Sequence, residues 1–172
     1  MPRDEYHDRL LRLHQQVDEE ADSLARLHGS GLLCRRGCAA CCLDDLTVFE
    51  IEADRIRRGA GELLHSAEPH PPGRCAFLDI DLACRIYEHR PYVCRTQGLP
   101  LRWLEETDGG EILDQRDVCE LNLVGTALAS LAEPELWLIG PWEERLARLQ
   151  QDAYGAQRRV ALRSLFERSR EA

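Results

Sequence analysis

Apolar residues near the start of the chain recur at helical spacing. Leu10, Leu13, Val17, Leu24 and Leu27 step by 3, 4, 7 and 3, close to a heptad seam, and predict one amphipathic helix over residues 3–28. Gly29 and Gly31, on either side of Ser30, should end it. At 1.5 Å per residue such a helix is about 39 Å long, and its apolar stripe needs a partner. A second helical pattern lies at the other end. Pro141 suits a first helical position, where a missing N–H costs nothing. From there Trp142, Leu146, Leu149, Ala153, Ala156 and Val160 step by 4, 3, 4, 3 and 4, and Leu162, Leu165 and Phe166 extend the apolar surface, so a helix is expected over 141–168. A shorter helix is expected from Leu121 to Leu131. The terminal helices should pack on each other and on the region between them. The alternative is that their seams meet a protein partner or a second copy of the chain in a homodimer, at a cost in association entropy that intrachain packing avoids.

The middle of the chain is less periodic. Thr47-Val48-Phe49-Glu50 has the pattern of a capping box, with Thr47 as N-cap and Glu50 reaching back from the third helical position. It should open a short helix carrying Ile51 and Ile56 and closed by Gly59. Residues 59–73, with Pro69, Pro71 and Pro72, read as a mobile connection. Leu99 to Leu104 and Glu111 to Leu113 flank Thr107-Asp108-Gly109-Gly110, which predicts a β-hairpin. The fold class expected is mainly α: long N- and C-terminal helices bracing an irregular cysteine-rich region with a small hairpin. The domain organisation expected is a single domain over 1–172, with the cysteine region at 29–119 and a C-terminal helical segment at 120–172.

Composition narrows the functional classes. The chain has 172 residues, long enough to bury roughly 70% of its unfolded surface without depending on disulfides or metal for size alone. Its net charge of −9 argues against a nucleic-acid backbone as partner. No run approaches the ~18 apolar residues of a membrane span. The charged first twenty residues hold no apolar signal segment, which points to a cytoplasmic protein. All 22 basic residues are arginine, a side chain that keeps its charge in any environment and can pair with thiolates.

Against that background the 8 cysteines are the informative feature: Cys34, Cys38, Cys41, Cys42, Cys75, Cys84, Cys94 and Cys119. In a reducing compartment such a count reads as metal binding or redox chemistry rather than a disulfide framework. Cys34 to Cys42 form C-x3-C-x2-C-C, and Gly37 within it permits the positive φ that a turn between ligands often needs. Adjacent Cys41 and Cys42 should project apart, so not all four sulfurs easily face one tetrahedral ion. Arg35, Arg74, Arg85 and Arg95 sit directly beside Cys34, Cys75, Cys84 and Cys94, where guanidinium groups could offset the negative charge of a thiolate-bound centre. Pro91 removes a backbone donor and pushes Arg90 out of helical geometry, so the chain should turn just before Cys94.

Taken in order, the Cys34–Cys42 cluster, the T-x-x-E of Thr47 and Glu50, Cys75-Ala-Phe-Leu, Cys84-Arg-Ile-Tyr with Arg90-Pro91, and Cys94-Arg95 resemble the YkgJ-type cysteine-cluster family. That family is described as zinc- or iron-chelating, and a related domain occurs in flagellin lysine methylases. The resemblance covers about residues 31–100 and implies metal binding without fixing a substrate or reaction. It departs at Cys34-x3-Cys38, where some members have two intervening residues, and at Ala76, where some have proline. The C-x3-C-x2-C spacing also matches the cluster triad of radical S-adenosylmethionine enzymes, but no βα alternation follows Cys41, and Ala40 stands where that family commonly places an aromatic.

Other candidates point elsewhere. His65 and His70 should face solvent and His89 should lie in a solvated turn. Asp44 and Asp45 should favour the helix start near Thr47. Trp103, Trp137 and Trp142 should be core. No phosphate-binding loop, nucleophile elbow or dinucleotide fingerprint is present. The reading is therefore a protein holding zinc or iron, in one form an iron–sulfur cluster, with the metal mainly structural. Cys38, Cys41, Cys84 and Cys94 should form the principal site, with Cys42 and Cys75 close by and Cys34 and Cys119 completing the set. The alternatives are an iron–sulfur redox protein or enzyme with a spare reactive cysteine such as Cys42, and an interaction module scaffolded by metal. With no acid–base constellation beside the cysteines, the sequence leans away from an enzyme.

Overall fold

The computed structural model of the chain describes residues 3–168. The predicted N-terminal seam forms one helix, α1 (Arg3–His28), with Leu10, Leu13, Val17, Ala21 and Leu24 buried along it. Asp4 and Glu5 in its first turn and Arg26 and His28 in its last complement the helix dipole. Leu27, counted in the expected seam, is exposed. The chain then runs through a single 3-10 turn, Gly29–Gly31, into a stretch without regular structure that carries the first four cysteines.

Regular structure resumes differently from expectation. Thr47 is not an N-cap: β1 (Thr47–Phe49) is a strand, and α2 (Glu50–Gly59) begins only at Glu50. The capping box fails because both halves are used elsewhere. The Glu50 carboxylate pairs with Arg57 at 2.8 Å and Arg158 at 3.2 Å. The first turn of α2 is capped instead by the buried Gln150 side chain, whose carbonyl accepts the Ile51 N–H at 3.0 Å. The stretch expected to be a mobile connection contains a further helix, α3 (Gly61–Ser66), anchored by Leu64 at 1% exposure. α4 (Tyr92–Thr96) follows Pro91 directly.

The expected hairpin is present, its first strand shifted two residues along the chain and its second longer than predicted. β2 (Leu101–Glu106) pairs antiparallel with β3 (Ile112–Asp117), and a short parallel strand, β4 (Trp137–Leu138), joins the other edge of β2. No helix spans Leu121 to Leu131: Leu123 and Gly125 both take positive φ, and only a 3-10 turn at Leu128–Ser130 is helical.

The C-terminal pattern is broken as well. α5 (Ile139–Tyr154) starts two residues before Pro141, which still lies in the first turn where its missing N–H goes unused. It ends at Gly155, whose φ of 67 forms a left-handed cap and whose N–H returns to the Gln151 carbonyl at 2.8 Å. Beyond it lie β5 (Arg159–Ala161) and α6 (Ser164–Arg168) instead of a continued helix. Val160 matched the helical spacing but is a strand residue, paired with Val48.

Two apolar clusters result, and α2 contributes to both. α1 and α5 close one cluster with Phe49, Ile51, Tyr92, Trp137 and Trp142, so the terminal helices do pack on each other. Trp137 stacks on Trp142 with ring centroids 5.6 Å apart, whereas Trp103 is only half-buried. The other cluster gathers Val48, Ala53, Ile56, Leu64, Phe77, Leu78, Val160, Leu162, Leu165 and Phe166. This second cluster is the floor on which the cysteine segments rest. Among the described residues, no helix is long and apolar enough to cross a membrane.

Candidate metal centre

Four segments of chain bring the cysteines to one place. The first is held by turns: the Cys38 N–H donates to the Arg35 carbonyl at 2.9 Å and the Cys42 N–H to the Ala39 carbonyl at 3.1 Å. Gly37 takes the positive φ its position predicted, 83. Buried Ala39 pins this loop to the apolar floor. The second segment doubles back on itself, with Leu78 bridging antiparallel to Cys84. At its tip the Asp79 carboxylate accepts the N–H groups of Asp81 and Ala83, each at 2.8 Å. Buried Phe77 and Leu78 fix it to the core, and the Cys75 N–H ties it to the first segment by donating to the Cys42 carbonyl at 3.0 Å. The third is α4, where Cys94 donates its N–H to the Pro91 carbonyl at 3.0 Å. Arg90 is extended as a residue before proline must be, with ψ 136. The fourth follows β3 and presents Cys119.

All eight cysteines are free thiols, and all eight line a single cavity of about 670 Å³. Its other walls combine apolar side chains, among them Leu46, Phe77, Leu82, Ile86 and Leu162, with Arg35, Arg36, Arg85 and Arg90 and the acidic Asp79 and Glu88. Within it the sulfurs have distinct neighbours. Cys34 feels the charges of Cys38, Cys41 and Cys119. Cys94 feels Cys75 and Cys84, and Cys75 feels Cys84. Cys42 feels its neighbour Cys41 together with Cys75 and Cys94.

The environment sets the ionisation of these thiols. Burial pushes Cys75, Cys84 and Cys94 above the usual thiol range, and partial desolvation of its sulfur does the same to Cys34 although that residue is exposed overall. Nearby N–H groups oppose it: the Asn122 side chain at Cys34, the Phe77 amide at Cys75 and the Ile86 amide at Cys84. Arg90 and Arg85 favour the thiolate at Cys84 as well. Coupling between the adjacent thiols lowers Cys41 to about 6 and raises Cys42. A pocket of crowded, mostly protonated thiols with donors already aimed at the sulfurs is suited to a cation that displaces the protons. As the side chains stand, no group of three or more His, Cys, Asp or Glu among the described residues is disposed to hold a metal ion, so closing a site requires the thiols to draw together. The donor set itself, all sulfur, fits zinc or iron and not calcium or magnesium. Gly98 adds a second mark of fit. With φ 91 it lets the Cys34 sulfur approach so closely that a Cβ there would stand 2.5 Å away.

Several expected roles change. Of the arginines beside cysteines, Arg35 and Arg85 line the cavity, but Arg74 does not. Arg95 turns away from it to pair with Asp18 of α1. Asp44 does not serve a helix start; it accepts the Gly73 N–H at 2.9 Å and pairs with Arg163. His65 is exposed, and His70 and His89 are half-buried outside the cavity lining. The His89 ring covers Gly59 instead, so closely that a Cβ on Gly59 would lie 2.2 Å from it.

Residues outside the cysteine motifs hold the sulfurs in place, and motif spacing alone misses them. Asn122, 2% exposed, donates to the Cys34 sulfur at 3.2 Å and to the Gly98 carbonyl at 2.6 Å, and accepts the Leu33 N–H at 2.7 Å. Its signal was a lone amide between Leu121 and Leu123, just past Cys119. Behind α4, the buried Glu52 carboxylate accepts the Tyr92 N–H at 2.7 Å and contacts His14 at 3.1 Å, joining α2 and α1 to the helix that carries Cys94. Glu52 stands four residues before Ile56, on the buried face of α2, which was a readable warning.

A family model, CxxCxxCC, described as a putative zinc- or iron-chelating domain, matches residues 33–120, a span holding every cysteine of the chain. No curated protein and no solved structure matches the chain.

Proposed function

We propose that this chain, which belongs to the CxxCxxCC family of putative zinc- or iron-chelating domains, binds its metal through the cysteine cavity and uses it mainly to hold that region together. The observation that carries the reading is the convergence of all eight free thiols on one cavity from four separate segments. Metal bonds joining those segments would close long loops of a stretch that has no regular structure between residues 32 and 46. Arg35, Arg36, Arg85 and Arg90 in the cavity lining outnumber Asp79 and Glu88 there and would offset the negative charge that four thiolates leave on a divalent ion. Elemental analysis of the purified protein should give zinc or iron in fixed proportion to chain. Hydrogen exchange with and without a strong chelator should then show the cysteine segments loosening while α1 and α5 stay protected. Unchanged protection throughout the cysteine segments after confirmed metal loss would move the weight to an exchangeable metal.

A second reading, an iron–sulfur protein with redox or catalytic use, draws support from the size of the cavity. About 670 Å³ is far more than bare ions need, when a water in liquid occupies about 30 Å³. A brown protein absorbing near 400 nm favours this reading, and a colourless protein with stoichiometric zinc favours the first.

A further inference from the structure

Resting on the metal-binding reading, we propose that the eight cysteines form two separate four-thiolate sites: Cys34, Cys38, Cys41 and Cys119 in one, and Cys42, Cys75, Cys84 and Cys94 in the other. The two meet at the Cys41–Cys42 peptide bond. This grouping differs from a principal site of Cys38, Cys41, Cys84 and Cys94.

The backbone carries the division. Asn122 joins the two ends of the first group, because its N–H returns to the Cys119 carbonyl at 2.8 Å while its side chain donates to the Cys34 sulfur at 3.2 Å. The Leu123 N–H to Gly31 carbonyl bond at 2.8 Å clamps the same two segments a second time. Cys38 follows in the turn closed on Arg35, and Cys38, Cys41 and Cys119 are the sulfurs whose charges reach Cys34. In the second group, the Cys75 N–H bonds to the Cys42 carbonyl, and the Leu78–Cys84 bridge sets Cys84 beside the Cys75 turn. Cys94 enters from α4, and Cys75 and Cys84 are the sulfurs whose charges reach it.

The groups also differ in their surroundings. Cys75 is buried in the apolar floor, and Cys42 and Cys84 pack against it. Cys34 is exposed, and its loop has only Ala39 in the core. Adjacent residues that serve different sites explain a double cysteine, since neighbouring side chains do not share a tetrahedral ion easily; the interaction of Cys41 with Cys42 then runs between the two sites. Each site would be closed, with four sulfur ligands and no open position, which is the pattern of a structural metal. Binding would release the protons of the thiols as sulfur–metal bonds form, so uptake should acidify a weakly buffered solution.

The test is stoichiometry, using reduced full-length protein stripped of metal and reloaded with zinc, with cobalt as an optical probe of thiolate ligation. The expected content is two zinc ions per chain. Cys34→Ser and Cys119→Ser should each lower it to one, as should Cys75→Ser and Cys84→Ser. Combining Cys34→Ser with Cys119→Ser should still leave one, whereas Cys34→Ser with Cys84→Ser should leave none. Cobalt–thiolate absorption should fall by half in every single variant. Far-UV circular dichroism, dominated by α1 and α5, identifies a variant that fails to fold, and the second cysteine of the same group then gives the result. One zinc per chain in the parent protein, or single variants in both groups that each remove all the metal, would overturn the two-site division while leaving metal binding intact. A parent protein that takes up no zinc, cobalt or iron would overturn the metal-binding reading itself.

Discussion

Replacing Gly98 with alanine tests whether the backbone has been shaped around the Cys34 sulfur. Two costs are separable there. A side chain at φ 91 strains the backbone, by about 1–3 kcal/mol. The new Cβ would also stand 2.5 Å from the Cys34 sulfur and 3.2 Å from the Asn122 amide nitrogen. The sulfur must move, and the Asn122–Cys34 hydrogen bond goes with it, a further loss of about 1 kcal/mol. The sum is about 2–4 kcal/mol. Gly73 supplies the control: its φ is 100, but a Cβ there meets nothing within 4 Å, so alanine adds strain alone. Urea unfolding of the reduced, metal-free protein should therefore show Gly98→Ala less stable than Gly73→Ala by about 1 kcal/mol or more. With a slope of about 2 kcal/mol per molar, that separates the midpoints by roughly half a molar. Gly98→Ala should also weaken zinc binding, and Gly73→Ala should not. Equal midpoints and equal zinc affinities for the two variants would refute the argument that Gly98 exists to admit the sulfur.

Asn122→Ala should cost about 2–4 kcal/mol, since it strips partners from the Leu33 N–H and the Gly98 carbonyl, and in the metal-free protein it should slow alkylation of Cys34 by removing the donor that favours its thiolate. Burial lowers the pKa of His14 below its ordinary 6.5, with Arg95 and Arg55 adding to the effect and Glu52 opposing it. The unfolded chain then binds the proton first, so this contribution to stability is full above about pH 6.5 and is lost as pH falls below it. His7 is shifted the same way. The urea midpoint of metal-free protein should drop between about pH 7 and about pH 5, and His14→Gln should reduce that slope; an unchanged slope would rule His14 out. Gly61→Ala, with open space around it, should stabilise by up to about 1 kcal/mol, whereas Gly59→Ala should not, because the His89 ring occupies its Cβ position. Equal effects in thermal melts would show that the ring moves aside freely.

What could be read from the chain followed the range of the interactions. α1 was legible because its stripe is local and long. The hairpin was legible because Thr107 to Gly110 is a self-contained turn. The end of α5 was misread because Ala156 and Val160 continue the helical spacing by coincidence, while Val160 answers to Val48, far away in sequence. Gly155 was the local sign that the helix stops. The capping box at Thr47 failed for the same reason: its competitor, Gln150, lies 99 residues from Ile51. For the cysteines, their number and spacing announced thiolate chemistry, but spacing says nothing about which sulfurs face each other. The contacts that bring the segments together are long in range: Asn122 reaches 88 residues back to Cys34, and the Cys75 N–H bonds to the Cys42 carbonyl.

The same contacts imply that metal removal should not loosen residues 29–119 uniformly. The low aliphatic content between Gly59 and Cys84 suggests a segment dependent on metal, yet Leu64, Phe77 and Leu78 are buried there, each contributing roughly 1.5–3 kcal/mol. With Phe77 and Phe166 rings 5.0 Å apart, this half of the cysteine region has a core of its own. The Cys34–Cys42 loop lacks one. Leu33 and Leu43 at its ends are exposed, and its ordering costs about 1–2 kcal/mol per residue for the backbone. Its anchors are Ala39, the Asn122 bridge, the clamp from Leu123 to Gly31 and, at its far end, Cys42, which packs on the floor and accepts the Cys75 N–H. On chelation, exchange should rise first and most over residues 32–43 and 118–123, and less over Cys75 to Cys94, where the apolar floor persists. Mass-resolved hydrogen exchange along a chelator titration reads that order directly. Simultaneous loosening of both segments would mean that the metal, and not the Phe77–Leu78 core, holds the Cys75–Cys84 turn.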